Sequence, residues 1–170
     1  MTSLFKIAFV VTAFLLALIA GLFYSYAVSV NPGLGRLSDS EYLRSMQSIN
    51  RAILNPMFFA SFMGSLIMLP LSTWMSYRTG GYDLTFYLVL IATVLYVVGV
   101  FGVTIFGNVP LNEALDRFDI QKATADEIKS RRMMCEIPWN RLNLIRTLAN
   151  LLSLIILLAA IVRNIDFKIK

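Results

Sequence analysis

Apolar residues run almost without interruption through four stretches of the chain, and polar residues crowd into the segments between them. Leu4 to Val30 contains one charge, Lys6, while Pro56 to Tyr77, Leu84 to Val109 and Leu148 to Val162 contain none. A membrane-spanning helix needs about 20 apolar residues. The pattern therefore predicts an all-α integral membrane four-helix bundle in one domain, 1–170, with spans near 4–30, 54–77, 84–109 and 143–163. The fourth begins near Asn143 and carries Arg146 close to the headgroups. The first run is too long for a secretory signal, and no small-x-small cleavage site precedes the polar segment, so it is expected as a retained helix. Four spans put both termini and the short Tyr77–Asp83 turn, broken by Gly80-Gly81, on one side. The longer segments Asn31–Asn55 and Asn108–Arg141 lie on the other.

Those two segments are organised. Asn31-Pro32-Gly33-Leu34-Gly35 is expected to end the first helix. Ser38 and Glu41 form a capping box for an amphipathic helix on which Leu43, Met46, Gln47, Asn50 and Leu54 share a face. An amphipathic helix of this kind can lie on the bilayer, but Gln47 and Asn50 among apolar neighbours point to a polar partner. In the second segment Pro110 sits between Asn108 and Asn112. Leu115, Phe118 and Ile120 keep an apolar face, while Glu113, Asp116, Arg117 and Asp119 are solvated. Thr124 and Glu127 make another capping box, and Pro138 is expected to initiate the helix that becomes span four. Trp139, Asn143, Arg146 and Asn150 then fall at i, i+4, i+7 and i+11, which is one helix face.

Amides and guanidinium groups near lipid are costly unless they are paired or line a cavity. Met46 to Asn50 with Asn55-Pro56, Gly107 to Asn112, and Trp139 to Arg146 all lie on one membrane face. Together they suggest a shared polar pocket. Its candidate lining is Gln47, Asn50, Asn108, Asn112, Trp139, Arg141 and Asn143, with Arg146 as anchor. Arg146 can meet Glu113, Asp116, Glu136 or a bound anion, or it can snorkel to headgroups. The amides can instead fix helix register, and Trp139 can be an interfacial anchor. Tyr24 and Asn31, seven apart, are placed on the pocket face of span one, and Tyr26 elsewhere around it. Asn55 before Pro56 is a helix cap. Ala60, Gly64, Gly99 and Val103 have the size for close helix packing.

Composition narrows the chemistry. The chain is 58% hydrophobic and 15% charged, with no histidine and one cysteine, Cys135. That excludes an internal disulfide, histidine-ligated haem, histidine zinc or copper centres, and thiolate clusters. No metal site and no cofactor are expected. The net charge of +5 is assigned to membrane-flanking residues rather than to nucleic-acid binding. The expected partners are the lipid bilayer and an apolar or aromatic small molecule, with a homo-oligomer compatible with either. Lys6, Arg78, Arg163, Lys168 and Lys170 are the basic residues on the terminal side. They favour termini in the cytoplasm, in a bacterial inner membrane.

The motifs Pro32-Gly33-Leu34, Met46-Gln47-Ser48-Ile49-Asn50, Asn55-Pro56, Gly107-Asn108-Val109-Pro110-Leu111-Asn112 and Trp139 to Arg146 occur in order between the apolar spans. In this the chain resembles the DUF1772 family of small four-helix membrane proteins, which includes the anthrone oxygenases. The resemblance implies oxygenation of an electron-rich polycyclic phenol to a quinone without metal or flavin. Arg146 and the amides would then stabilise an enolate-like oxygen. The stabilised carbanion would meet dioxygen in a pocket lined by Phe58, Phe59 and Phe101. A base would be needed and no histidine exists, so Glu113, Asp116 or Tyr24 is expected to serve. Two other readings use the same residues: a non-enzymatic carrier for a lipid-like or aromatic molecule, and a structural tetraspan partner of a membrane complex.

Overall fold

The computed structural model describes residues 3–166; Lys168 and Lys170, counted for orientation, lie outside them. It is built from five helices, with no strand among the described residues: α1 (Leu4–Leu34), α2 (Asp39–Ala52), α3 (Pro56–Gly80), α4 (Leu84–Asp116) and α5 (Ala125–Asp166). Four of them, all but α2, are long and apolar enough to cross a bilayer, consistent with an integral membrane protein. They close a ring in which α1 packs on α3 and α5, and α4 packs on α3 and α5.

Local chemistry sets most helix ends. Ser38 and Glu41 form the capping box at α2, and hydrogen bonds from Ser38 hold the Glu41 carboxyl below its usual range. Asn55 accepts from the Phe58 amide to cap α3, and Asp83 accepts from the Phe86 amide to cap α4. Between them Gly81 takes φ +67°, a left-handed conformation that favours glycine.

The prolines behave differently from expectation. Asn31-Pro32 does not end α1, which runs on to Leu34, and Pro110 lies inside α4, which runs on to Asp116. In both cases a π-helical stretch comes directly before: Tyr26–Val30 in α1, and Thr104–Asn108, after Val97–Gly102, in α4. A proline ring clashes with the carbonyl four residues earlier in a regular α-helix. A wider turn moves that carbonyl away, so the helix passes the proline instead of stopping. Pro138 does not start a helix either. It lies within α5, whose 42 residues make it about 60 Å long at about 1.5 Å per residue. The early part of α5 is held against α2, which favours continuity across that single missing amide.

Two apolar clusters divide the molecule. One fills the bundle, with Phe9, Leu16, Phe62, Leu69, Val89, Tyr96 and Leu157 buried in it. The other lies under α2 on the loop side and includes Tyr42, Leu43, Met46, Leu115, Cys135 and Trp139. Arg132 ties this second region together. Its guanidinium donates to Glu136 (2.7 Å), Asp39 (2.9 Å) and the carbonyls of Leu37 (2.8 Å) and Gly35 (3.0 Å), and it lies 4.7 Å from the Tyr42 ring.

Candidate functional site

A cavity of about 90 Å³ lies where the two apolar clusters meet, between α1, α2, the start of α3, the π-helical part of α4, and α5. Its apolar wall is formed by Leu22, Phe23, Ile49, Ile53, Phe58 and Val109, and its polar wall by Tyr26, Asn50, Thr104, Asn108, Asn112, Trp139, Asn143 and Arg146. Leu54 also lines it and is 65% exposed, so the mouth opens beside the α2–α3 connection. A single water needs about 10–15 Å³, so the space exceeds a structural water site.

Arg146 dominates the polar wall. It is 6% exposed. One terminal nitrogen donates to Asn143 Oδ1 at 3.0 Å and the other to Thr104 Oγ1 at 3.4 Å. Its guanidinium carbon lies 4.3 Å from the Phe23 ring and 5.5 Å from the Trp139 ring. The Nε donor has no partner. Among the described residues Arg51 pairs with Asp116, Arg117 with Glu113, Lys122 with Asp119 and Arg132 with Asp39 and Glu136, and no carboxylate pairs with Arg146. A buried cation is normally matched by a buried anion. Here two aromatic faces, a hydroxyl and an amide surround it, and the charge itself is left uncompensated.

The amides follow the same logic. Asn143 is fixed, accepting from Arg146 and donating to the Phe23 carbonyl at 3.4 Å. Asn112 accepts from the Trp139 indole at 2.9 Å, which sets the ring orientation. Asn108 is 1% exposed and neither end of its amide has a partner; the Asn50 nitrogen has none either. The lining amides therefore do not satisfy one another, although unpaired buried polar atoms are uncommon in folded proteins.

The structure brings Asn50, Phe58, Asn108, Asn112, Trp139, Asn143 and Arg146 to one cavity, and leaves Gln47, Arg141, Glu113, Asp116 and Tyr24 outside it. Gln47 donates to the carbonyls of Leu115 (2.9 Å) and Phe118 (3.0 Å), closing the end of α4. Arg141 is exposed. Glu113 and Asp116 are exposed and bonded to Arg117 and Arg51, so neither reaches the cavity. Tyr24 is 51% exposed on the outside of α1. Phe58 lines the cavity, but Phe59 is exposed and Phe101 packs on Phe62 instead.

Tyr26 is the residue that sequence reasoning passed over. It lines the cavity, its ring is 5.6 Å from that of Trp139, and it lies close enough to Arg146 to interact with its charge. Placing Tyr24 on the face of Asn31 assumed an unbroken α-helix. The π-helical turn beginning at Tyr26 adds residues to the turn, so a spacing of seven no longer preserves the face. Pro32 alone does not mark the wider turn, since Pro70 and Pro138 lie inside helices that stay α-helical. Asn150 was seen on the Arg146 face. It is fully buried with both amide ends unpartnered, yet it does not line the cavity.

A family profile described as anthrone oxygenase matches residues 57–156. The match covers more than half of the chain, from the start of α3 through the cavity-lining part of α5. No curated protein and no solved structure matched the chain.

Proposed function

Because the chain belongs to the anthrone oxygenase family, we propose that it promotes oxygenation of an electron-rich phenolic aromatic by dioxygen at the Arg146 cavity, without metal or flavin. The observation that carries this reading is the buried guanidinium with no carboxylate, set between Phe23 and Trp139. Such a group is arranged to meet negative charge on a flat ligand. An oxyanion held there gains from the low dielectric and from donors already in place.

In an anthrone, the ring-bound methylene and the carbonyl opposite share one delocalised anion. Stabilising charge on that oxygen makes the anion accessible and raises electron density on the carbon that reacts with dioxygen. Carbon–oxygen bond formation gives a peroxide, and loss of water leaves a second carbonyl. The balance is one anthrone and one dioxygen to one quinone and one water. Arg146 holds the developing oxyanion, while Asn143 fixes Arg146. Asn108, with donor and acceptor both unpartnered, is placed to bond a further ligand oxygen. A fused ring system exceeds the cavity, so its remaining rings extend past Leu54 towards the lipid. We place the termini in the cytoplasm of a bacterial inner membrane, which puts the cavity at the outer face.

Full-length protein in lipid vesicles should consume oxygen with an anthrone faster than empty vesicles, and Arg146→Gln should remove the excess. An anthrone bound at Arg146 with no excess uptake would replace this reading by that of a carrier.

A further inference from the structure

The cavity contains a charge but no carboxylate, thiol or amine to take up a proton. Only Tyr26 and Arg146 among its lining residues titrate. α1 contributes Tyr26, and the bundle part of α4 contributes Thr104 and Asn108. α2 contributes Asn50, α3 contributes Phe58, and α5 contributes Trp139 and Asn143 beside Arg146 itself. The nearest carboxylates by sequence are engaged elsewhere: Glu113 with Arg117, Asp116 with Arg51, and Asp39 and Glu136 with Arg132.

We propose that this cavity takes its ligand as an oxygen anion, with the proton lost from a ligand hydroxyl to water and not from carbon to a protein base. The inference rests on the preceding reading of the cavity as an oxyanion site. In the step itself the ligand O–H bond breaks, the proton passes to water or buffer, and the electron pair stays on oxygen as counter-ion to Arg146. The ligand class is therefore a phenol or enol whose hydroxyl is conjugated with the reactive carbon. Loss of the O–H proton from the enol and loss of the C–H proton from its keto tautomer give the same anion. Ionisation at oxygen thus makes a carbon base unnecessary, which accounts for the positions of Glu113, Asp116 and Tyr24 outside the cavity.

Selectivity follows from the same charge. A neutral ligand leaves the guanidinium uncompensated, whereas an anion completes the pair and accepts from the free Nε donor. The unpartnered amides of Asn50 and Asn108 add hydrogen bonds but no charge. Binding of a phenol must then release a proton, and affinity must rise by about tenfold per pH unit until the ligand ionises by itself in solution. A ligand that is already an anion shows no such rise.

The test uses 4-nitrophenol, whose phenolate is visibly coloured, with the full chain in lipid vesicles and empty vesicles as the reference. Below the pH at which the free probe ionises, protein-bound probe should carry the phenolate band, and equilibrium dialysis should show the tenfold rise per pH unit. Benzoate should bind without pH dependence over the same range, and benzamide should not compete. Arg146→Gln should lose the band, and Arg146→Lys, which keeps the charge, should retain it. Bound probe with the neutral spectrum overturns the inference, as does binding no greater than in empty vesicles, or a pH dependence that disappears in Glu113→Gln or Asp116→Asn. Oxygen uptake with an anthrone, measured on the same samples, separates this from the oxygenation reading. Uptake with neutral bound probe removes the inference alone, and phenolate binding without uptake removes the oxygenation alone.

Discussion

The two halves of the bundle bury polar groups in opposite ways. Towards the termini the buried polar groups are hydroxyls, and each is satisfied. Thr12 donates to the Ala8 carbonyl and pairs with Ser72 at 2.9 Å; Thr73 and Thr93 pair at 2.8 Å; Ser76 bonds Ser72 and Ser153 bonds Ala92. Towards the loops hydroxyls such as Ser61, Thr104 and Thr147 bond carbonyls in the same way, but amides and a guanidinium join them, and Asn50, Asn108, Asn150 and Arg146 all retain unpartnered atoms. The difference is chemical. A hydroxyl reaches the carbonyl one turn back on its own helix, so burial in a bundle leaves little unmet. An amide presents a donor and an acceptor pointing apart, and a guanidinium presents five donors. A helix carbonyl can take the donor end, as those of Phe23 and Ala160 do for Asn143 and Asn164, but it leaves the acceptor end to find another partner. Polar groups of the first kind are met within the bundle; those of the second kind leave atoms open, at Asn50, Asn108 and Arg146 beside the cavity.

The comparison breaks most sharply at Arg146. Arg146→Met should lower the oxygen-uptake rate with an anthrone by about a hundredfold or more, the scale of removing an oxyanion donor. The change orphans no buried anion and strands one neutral acceptor, Asn143 Oδ1, while removing an uncompensated buried charge, so thermal unfolding should shift little. A large drop in Tm with activity falling in proportion would show that the guanidinium is structural, and would put it with the hydroxyls.

Asn108→Leu should follow at smaller scale. It removes two unpartnered polar atoms from a position that is 1% exposed, so stability should rise by about 1 kcal/mol. Anthrone turnover should fall by about tenfold. Denaturation in detergent and oxygen uptake on the same preparation would read the two opposite signs. A loss of stability would mean that the amide has a structural partner and belongs with the satisfied half.

How much of this was legible beforehand follows the regularity of the backbone. The four-helix bundle could be read from hydropathy because lipid demands long apolar runs whatever the register. On α5 the cavity face of Trp139, Asn143 and Arg146 could be read from spacing, since the helix is α-helical through all three. On α1 the same arithmetic failed, and on α4 the spacing of Asn108 and Asn112 held while the helix end expected near Pro110 did not. The π-helical stretches shift the phase, hiding Tyr26 and carrying both helices past prolines that normally mark an end. Gln47 lies outside the cavity for a different reason: its partners, the Leu115 and Phe118 carbonyls, are about seventy residues away in sequence. Nothing local to Gln47 distinguishes an amide that closes a helix end from one that lines a pocket. The ion pairs that draw Glu113 and Asp116 outward are likewise tertiary facts, invisible to periodicity.

Between the halves, α4 and α5 pack closely at Gly99, where an added Cβ would lie 2.6 Å from the Ala149 Cβ. Neither atom is the end of a flexible side chain, so the helices themselves must separate. Gly99→Ala should destabilise the protein by about 1–3 kcal/mol. The separation should also weaken turnover, because Ala149 and Arg146 share one turn of α5. Ala149→Gly in the same chain should restore both readouts. If the double variant recovers stability but not turnover, the cavity depends on Gly99 through something other than helix spacing.

The smallest effect belongs to the hydroxyl half and completes the contrast. Thr73 and Thr93 each donate to the carbonyl one turn back, at Leu69 (3.0 Å) and Val89 (2.8 Å), besides meeting each other at 2.8 Å. Two hydroxyls have two protons, and the two carbonyls already claim both in this geometry. The contact between the threonines is therefore made only when one of them gives up its own carbonyl. Valine keeps the shape of threonine and strands no polar side-chain atom, since the carbonyl it faces stays bonded within its helix. Thr73→Val and Thr93→Val should each cost about 0.6 kcal/mol or less, the average for such bonds inside membranes. The double variant should show almost no coupling energy, and oxygen uptake should stay at the wild-type rate. A coupling above about 1.5 kcal/mol, near the upper limit for such pairs, would mean that the hydroxyls act as a committed interhelical bond. In that case polar groups on the terminal side would be as demanding as the amides, and chemical type alone would no longer separate the two halves.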